Sequence, residues 1–164
     1  MERSLVLLKP DTVKRQIVGE IVTRFEKVGL RIVGMKMLYP DRGHYHKHYE
    51  DISQMISRRG EKAFDVTLEF MQKGPVIALV LEGVHAVGLV RKMVGDTEPS
   101  KSLPGTIRGD YAHISIAHAN ARGAGIANLI HASGNVEEAK AEVGLWFKPA
   151  ELFDYDTAHR EFTH

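Results

Sequence analysis

A histidine set between an apolar run and a helix start is well placed to accept a phosphoryl group. His131 stands in such a place, within Asn128-Leu129-Ile130-His131-Ala132-Ser133-Gly134-Asn135-Val136-Glu137-Glu138. Asn135 reads as an N-cap with Glu138 three residues on, so the first free amides of the following helix face back toward the imidazole. Free N–H groups at a helix start favour anions. A ring nitrogen there, with the Ser133 hydroxyl a few bonds away, can act as a nucleophile toward phosphorus. The plain alternative is a packed or helix-capping histidine, and this stretch by itself leaves both readings open.

Phosphoryl chemistry requires cations nearby. Lys9 follows residues 4–8, apolar apart from Ser4, and precedes Pro10, so it stands at a strand end. On a helical wheel Arg91 falls between Val84 and Val87, at the edge of a valine stripe, where a guanidinium points into a partly buried place and needs an anion; a snorkelling side chain is the alternative. Thr97 and Arg108 belong to the stretch Gly95 to Asp110, which is too long for a mere connector and offers a hydroxyl and a fork of donors. Arg108-Gly109-Asp110 also spells an adhesion motif, set aside because nothing marks the chain as secreted. His44 and His48, at i and i+4 around His46, invite a metal reading; no further ligand stands at recognisable spacing, and a polar surface helix explains them as well. Neither a Gly-x-x-x-x-Gly-Lys-[Ser/Thr] loop nor a Gly-x-Gly-x-x-Gly fingerprint occurs, so the backbone cradles of those nucleotide folds are absent.

The elements that must carry these groups follow from periodicity. Residues 4–8 predict a strand. Asp11 can cap a helix whose stripe is Ile17, Ile21, Phe25 and Val28, ended by Gly29. Residues 30–39 alternate as a strand with a bulge at Gly34. Phe64, Leu68 and Met71 predict a helix closed by Gly74, and residues 75–81, apolar on both phases, a strand covered on both faces. Val84 to Val94 predicts a helix, 111–118 a strand with Ile114 and Ile116 on one face, and 119–125 a flexible turn. Val136, Ala139 and Val143 predict a last main helix, with Glu142 flanking its apolar side and Glu138 nearer solvent. Beyond Trp146-Phe147 and a short turn at Pro149, the tail from Asp154 is expected to be loosely held.

With 164 residues, 43% hydrophobic and 26% charged, the chain reads as one globular domain spanning 1–164. A formal net charge of +1 gives no bulk basicity for nucleic acid or membrane, so any anion site must be local. The absence of cysteine excludes disulfides and thiolate chemistry. No run reads as a signal peptide or a membrane span, and a cytoplasmic enzyme or binding protein is the expectation.

Six motifs in order resemble the nucleoside diphosphate kinase family: Leu-Leu-Lys-Pro-Asp at 7–11, Glu82-Gly83, Gly-Asp-Thr-Glu-Pro at 95–99, Pro-Gly-Thr-Ile-Arg-Gly-Asp at 104–110, Asn-Leu-Ile-His-Ala-Ser at 128–133, and Glu-Val-Gly-Leu-Trp-Phe at 142–147. The resemblance implies an α/β (α+β) ferredoxin-like sandwich, a four-stranded antiparallel sheet with helices on one face, assembled as a homo-oligomer, commonly a hexamer. It implies transfer of the terminal phosphate of ATP or another nucleoside triphosphate to a nucleoside diphosphate through a phosphohistidine, with Mg2+ held mainly by the nucleotide phosphates rather than by protein ligands. His131 would be the nucleophile, with Glu142 on its other ring nitrogen in a network that includes Ser133. Lys9, Tyr49, Arg91, Thr97, Arg108 and Asn128 would line the phosphate and sugar side. Phe64 is the candidate for stacking on the base, and a one-residue shift puts Ala63 there instead. The segments Tyr49 to Gly74 and Arg108 to His131 are longer than in many relatives.

A stacked base with few edge contacts predicts broad tolerance among purine and pyrimidine nucleotides. The competing class, a nucleic-acid-binding module, needs an aromatic platform and a basic face, which 7% aromatics and a net charge of +1 do not supply. A histidine-rich metal binder through His44, His46 and His48 is the third class.

Overall fold

A computed structural model describes residues 1–163. The chain runs β1 (Glu2–Leu8), α1 (Pro10–Lys14), α2 (Val18–Lys27), β2 (Arg31–Leu38) and α3 (Arg42–His46), which continues into a π-helical turn over Lys47–Ile52. Next come α4 (Met55–Arg59), α5 (Glu61–Met71), β3 (Val76–Gly83), α6 (Ala86–Val94), α7 (Ile107–Tyr111), α8 (Ile116–Ala121), β4 (Ile130–Ala132), α9 (Val136–Trp146) and α10 (Arg160–Thr163). The strands form one sheet in the order β2-β3-β1-β4, every neighbouring pair antiparallel.

Every residue of β3 is buried, which requires cover on both sides of the sheet. Val76, Ala78 and Val80, with Leu5 and Leu7, pack against Tyr45, Phe64, Leu68, Val143 and Trp146. Ile77, Leu79 and Leu81, with Val6 and Leu8, pack against Ile21, Phe25, Val90 and Ile107. Helices therefore lie on both faces of the sheet, not on one as the resemblance implied. Each fully buried Leu, Ile or Val in these layers contributes about 1.5–3 kcal/mol relative to its exposed state.

Gly34 sits at the expected bulge, where the β2–β3 register shifts between Ile32 and Gly34. A Cβ there would fall 2.9 Å from Leu152 Cδ2 and 3.0 Å from Phe147 Cε1, so a larger residue would push aside the side chains that cross this strand. That end is tied down further than expected: Asp154 pairs with Arg31 at 2.7 Å, and the Tyr155 hydroxyl donates to the Ile32 carbonyl at 2.8 Å.

Residues 111–118 are not a strand. After α7 the chain is irregular to Ser115, whose hydroxyl accepts from the His118 amide and starts α8. The Ile116 amide donates to Glu98 Oε1 at 3.0 Å and has no ladder partner. Alternation of Ile114 and Ile116 has the period of a strand, but an N-capping serine and a side-chain acceptor give this backbone a local solution. The histidine-rich stretch departs from the surface helix expected of it, since Tyr45, His48 and Tyr49 are buried. Among the described residues no helix is long and apolar enough to cross a membrane.

Candidate active site

β4 pairs with the outer edge of β1, placing His131 opposite Leu7 and Ala132 opposite Val6. Asn128 and Leu129 enter this strand under close control. The Lys9 amide donates to the Leu129 carbonyl at 2.8 Å, Thr12 Oγ1 donates to the same oxygen at 2.5 Å, and the Leu129 amide donates to Asp11 Oδ2 at 3.0 Å. Asp11 thus braces β4 instead of capping the helix, which starts from Lys9 without a side-chain cap. Asn135 does cap α9, accepting from the Glu138 amide at 2.8 Å.

His131 faces a cleft of about 540 Å³ with a side chain 17% exposed, which excludes the packed-histidine reading. Its Nε2 lies 2.9 Å from Glu142 Oε1, while Ser133 Oγ donates to Glu142 Oε2 at 2.6 Å and accepts from the Leu5 amide at 3.0 Å. Glu142 is fully buried. Burial would raise its pKa, but His131, hydrogen-bonded to it, and the Ser133 hydroxyl hold it down at about 2. A carboxylate only accepts, so Nε2 must carry the proton and Nδ1 keeps a free lone pair.

Lys9, Tyr49, Arg91, Thr97, Arg108 and Asn128 all line the same cleft. Lys9 Nζ donates to Asn128 Oδ1 at 2.6 Å, and Asn128 Nδ2 donates to the Thr97 carbonyl at 2.8 Å. Burial, then repulsion by Arg108, pushes the Lys9 ammonium down to about 8. Arg91 lines the cleft but is exposed, not partly buried as expected, and it has no ion-pair partner among the described residues. Tyr49 is buried with its ring 6.3 Å from that of His131, and its hydroxyl has no partner; burial raises its pKa.

Arg108 differs most from the fork of donors expected of it. Nε donates to the Asn128 carbonyl, Nη1 to those of Gly95 and Asp96, and Nη2 to that of Ile130. Of five N–H groups one remains. Burial and the neighbouring Arg91 lower its pKa to about 10, so at neutral pH it is a fixed charge that also ties three segments together. The burial of Arg108 likewise disposes of the adhesion motif.

Phe64 does not line the cleft. It is 6% exposed in the core, edge-on to His46 at 5.4 Å, because it shares a helix face with Leu68 and Met71; the base-stacking assignment is corrected accordingly. Glu138, expected nearer solvent, folds over Gly134 and pairs with Arg58 at 3.1 Å at the cleft wall. Sequence reasoning missed Arg59, which lines the cleft without an ion pair among the described residues, and weighed His48 only as a metal ligand beside His44 and His46. His48 is fully buried, accepts from Trp146 Nε1 at 3.1 Å and stands perpendicular to His131 with ring centroids 4.5 Å apart. Burial and His131 push its pKa well below the usual value, so it is neutral. The one available signal was its place beside Tyr49. His48, His131 and Glu142 could together hold a metal ion, but two nitrogens and a carboxylate do not make a magnesium site.

A profile described as nucleoside diphosphate kinase matches residues 2–152. The chain belongs to the nucleoside diphosphate kinase family. It is similar to the nucleoside diphosphate kinases of Pyrococcus furiosus (46% identical, 94% of this chain and 88% of that one) and Pyrococcus horikoshii (47%, 96% and 92%). The solved nucleoside diphosphate kinase from Borrelia burgdorferi, a transition-state mimic with bound vanadate and ADP, superposes with a TM-score of 0.94 at 39% identity over 97% of this chain and 94% of that one. The Halobacterium salinarum nucleoside diphosphate kinase, in complex with CDP, gives 0.83 at 37% over 98% and 97%. As a member of this family the chain is a phosphotransferase that moves the terminal phosphate of a nucleoside triphosphate to a nucleoside diphosphate through a phosphohistidine.

Proposed function

We propose that Nδ1 of His131 is the atom that carries the phosphate. The observation behind this is the hydrogen bond from Nε2 to a buried carboxylate, which leaves Nδ1 as the free lone pair beside a cation-lined cleft. Nδ1 attacks the terminal phosphorus, a P–N bond forms, and the P–O bond to the leaving diphosphate breaks with its electrons on that oxygen. A second diphosphate reverses the step, its terminal oxygen taking the phosphoryl group and returning the lone pair to Nδ1. Glu142, held by Ser133, orients the ring and stabilises the positive charge that develops on it. Lys9, Arg91, Arg108 and Arg59 stabilise charge on the peripheral oxygens, and the unpartnered Tyr49 hydroxyl is available to one of them.

ADP and CDP, bound by the two relatives, are the kind of ligand proposed here, with Thr97 and Asn128 toward the phosphates and sugar. Mg2+ fits this cleft as a nucleotide-held ion beside the lining carboxylates of Asp96 and Glu138; bound there, it would supply charge neutralisation across the phosphates. Assembly with further copies is supported by the outer end of edge strand β2, where Met35 and Met37, with Tyr39 just beyond the strand, are 51%, 59% and 60% exposed; a light-scattering mass above 18.3 kDa is the check. The nucleotide pool of the cytoplasm is the proposed working place.

The deciding experiment is a label chase. Protein mixed with terminally labelled ATP and magnesium is expected to retain acid-labile label, which unlabelled GDP removes as labelled GTP. Protein that binds ATP yet takes no label would refute the relay.

A pH profile tests the cation set. Lys9 is charged below about 8 and loses its proton above it, so kcat/KM is expected to fall as pH rises through that value. Lys9→Arg should remove this limb, since a guanidinium keeps its proton. An identical alkaline limb in the variant would show that Lys9 is not its source.

A further inference from the structure

Three potential metal ligands converge at His131. Its Nε2 lies 2.9 Å from Glu142 Oε1, and His48 Nδ1 lies 3.8 Å from the same oxygen. One ligand atom from each of the three side chains falls within 4.8 Å of the other two. His48 and Glu142 are fully buried, while His131 borders the cleft.

Two neutral imidazoles and a carboxylate are donors that zinc takes, with a water in the fourth place, whereas magnesium asks for oxygens. A tetrahedral zinc bound at about 2.1 Å sets such atoms about 3.4 Å apart, so small side-chain shifts close the site. Glu142 Oε2 is held by the Ser133 hydroxyl at 2.6 Å, which leaves Oε1 to turn toward a metal. The His48 ring is free to adjust: its buried Nε2 has no hydrogen-bond partner, and its polar contact runs through Nδ1, where Trp146 Nε1 donates at 3.1 Å.

We propose that His48, His131 and Glu142 form an inhibitory site for zinc or a divalent ion of the same class. Its silencing effect rests on the transfer reading of His131. A metal on Nε2 needs the lone pair there, so the proton that Nε2 now gives to Glu142 moves to Nδ1. Nδ1 then has no lone pair for phosphorus. At His48 the metal takes the Nδ1 lone pair from the Trp146 N–H. Phosphate on Nδ1 and zinc on Nε2 of His131 exclude each other, since the phosphorylated ring keeps its proton on Nε2.

Trp146 is the chain's single tryptophan, so its emission reads the site directly. Nucleotide-free protein titrated with zinc is expected to show a saturable emission change, undone by EDTA and not produced by magnesium. Label uptake from ATP in excess magnesium is expected to fall over the same zinc range. Inhibition without an emission change places the zinc on the nucleotide and overturns the site, and an emission change without inhibition overturns the silencing. In His48→Asn the amide oxygen takes the place of Nδ1 before the indole. Both responses, read against the variant's own zinc-free values, are expected to need about a hundredfold more zinc; an unshifted response overturns the site. Phosphorylated wild-type protein, which needs no substitution, is expected to lose the emission response in the same way, and zinc binding equal to that of the free protein overturns the proposal. If the protein takes no label even without zinc, the transfer reading and the silencing fall together, while the emission titration still decides the site.

Discussion

His131→Gln is expected to lose phosphate uptake from a labelled triphosphate by a factor on the order of 10^4 or more, because no other group can form the covalent intermediate. Glutamine is chosen because its amide nitrogen reaches the place of Nε2 and can still donate to Glu142. Without a donor there, the buried carboxylate, now held at about 2, would lose a main cause of its low pKa. The side chain of His131 borders the cleft, so the fold and nucleotide binding are expected to survive. Rapid-quench labelling alongside a binding titration separates the two effects. Undiminished label on the variant would move the nucleophile elsewhere.

Arg108→Met is the second large effect, and it is first an effect on stability. Four backbone carbonyls converge on this guanidinium, from Asn128, Gly95, Asp96 and Ile130. Leaving several buried acceptors without a donor costs about 1–3 kcal/mol each, so a loss of about 4 kcal/mol or more in urea unfolding is expected. That is a large share of the stability of an ordinary domain. Phosphate uptake should fall by on the order of 10^2 to 10^3 as the fixed charge disappears and the 95–97 and 128–130 segments loosen. Wild-type stability in this variant would contradict the structural role; wild-type uptake would contradict the electrostatic one.

What could be read from the sequence was local. Lys9 is legible because Pro10 ends its strand, and His131 because Asn135 caps the helix after it. Those cues act within a few residues of the group they mark. Glu142 was legible only to one side: the spacing put it near an apolar face, but its burial depends on β1, which reaches it through Ser133 and Leu5. His48 escaped because its burial is decided by Trp146, 98 residues later. Phe64 was misread for a related reason, since the stripe with Leu68 and Met71 that marks its helix also turns it away from the cleft. Residues 111–118 satisfied a strand's period without having a strand to join, and periodicity does not report on partners.

The pairing of β4 with β1 also sets the order in which the molecule can be made. His131 lies opposite Leu7, and the Ser133 hydroxyl meets the Leu5 amide across 128 residues of chain. During synthesis the first strand leaves the ribosome long before its outer neighbour exists, and the intervening sheet partner, β3, can dock first. Closing so long a loop is entropically slow compared with forming local helices. Catalytic competence is therefore acquired late in folding, after most of the core has formed, and regain of activity after dilution from denaturant should trail regain of helical signal.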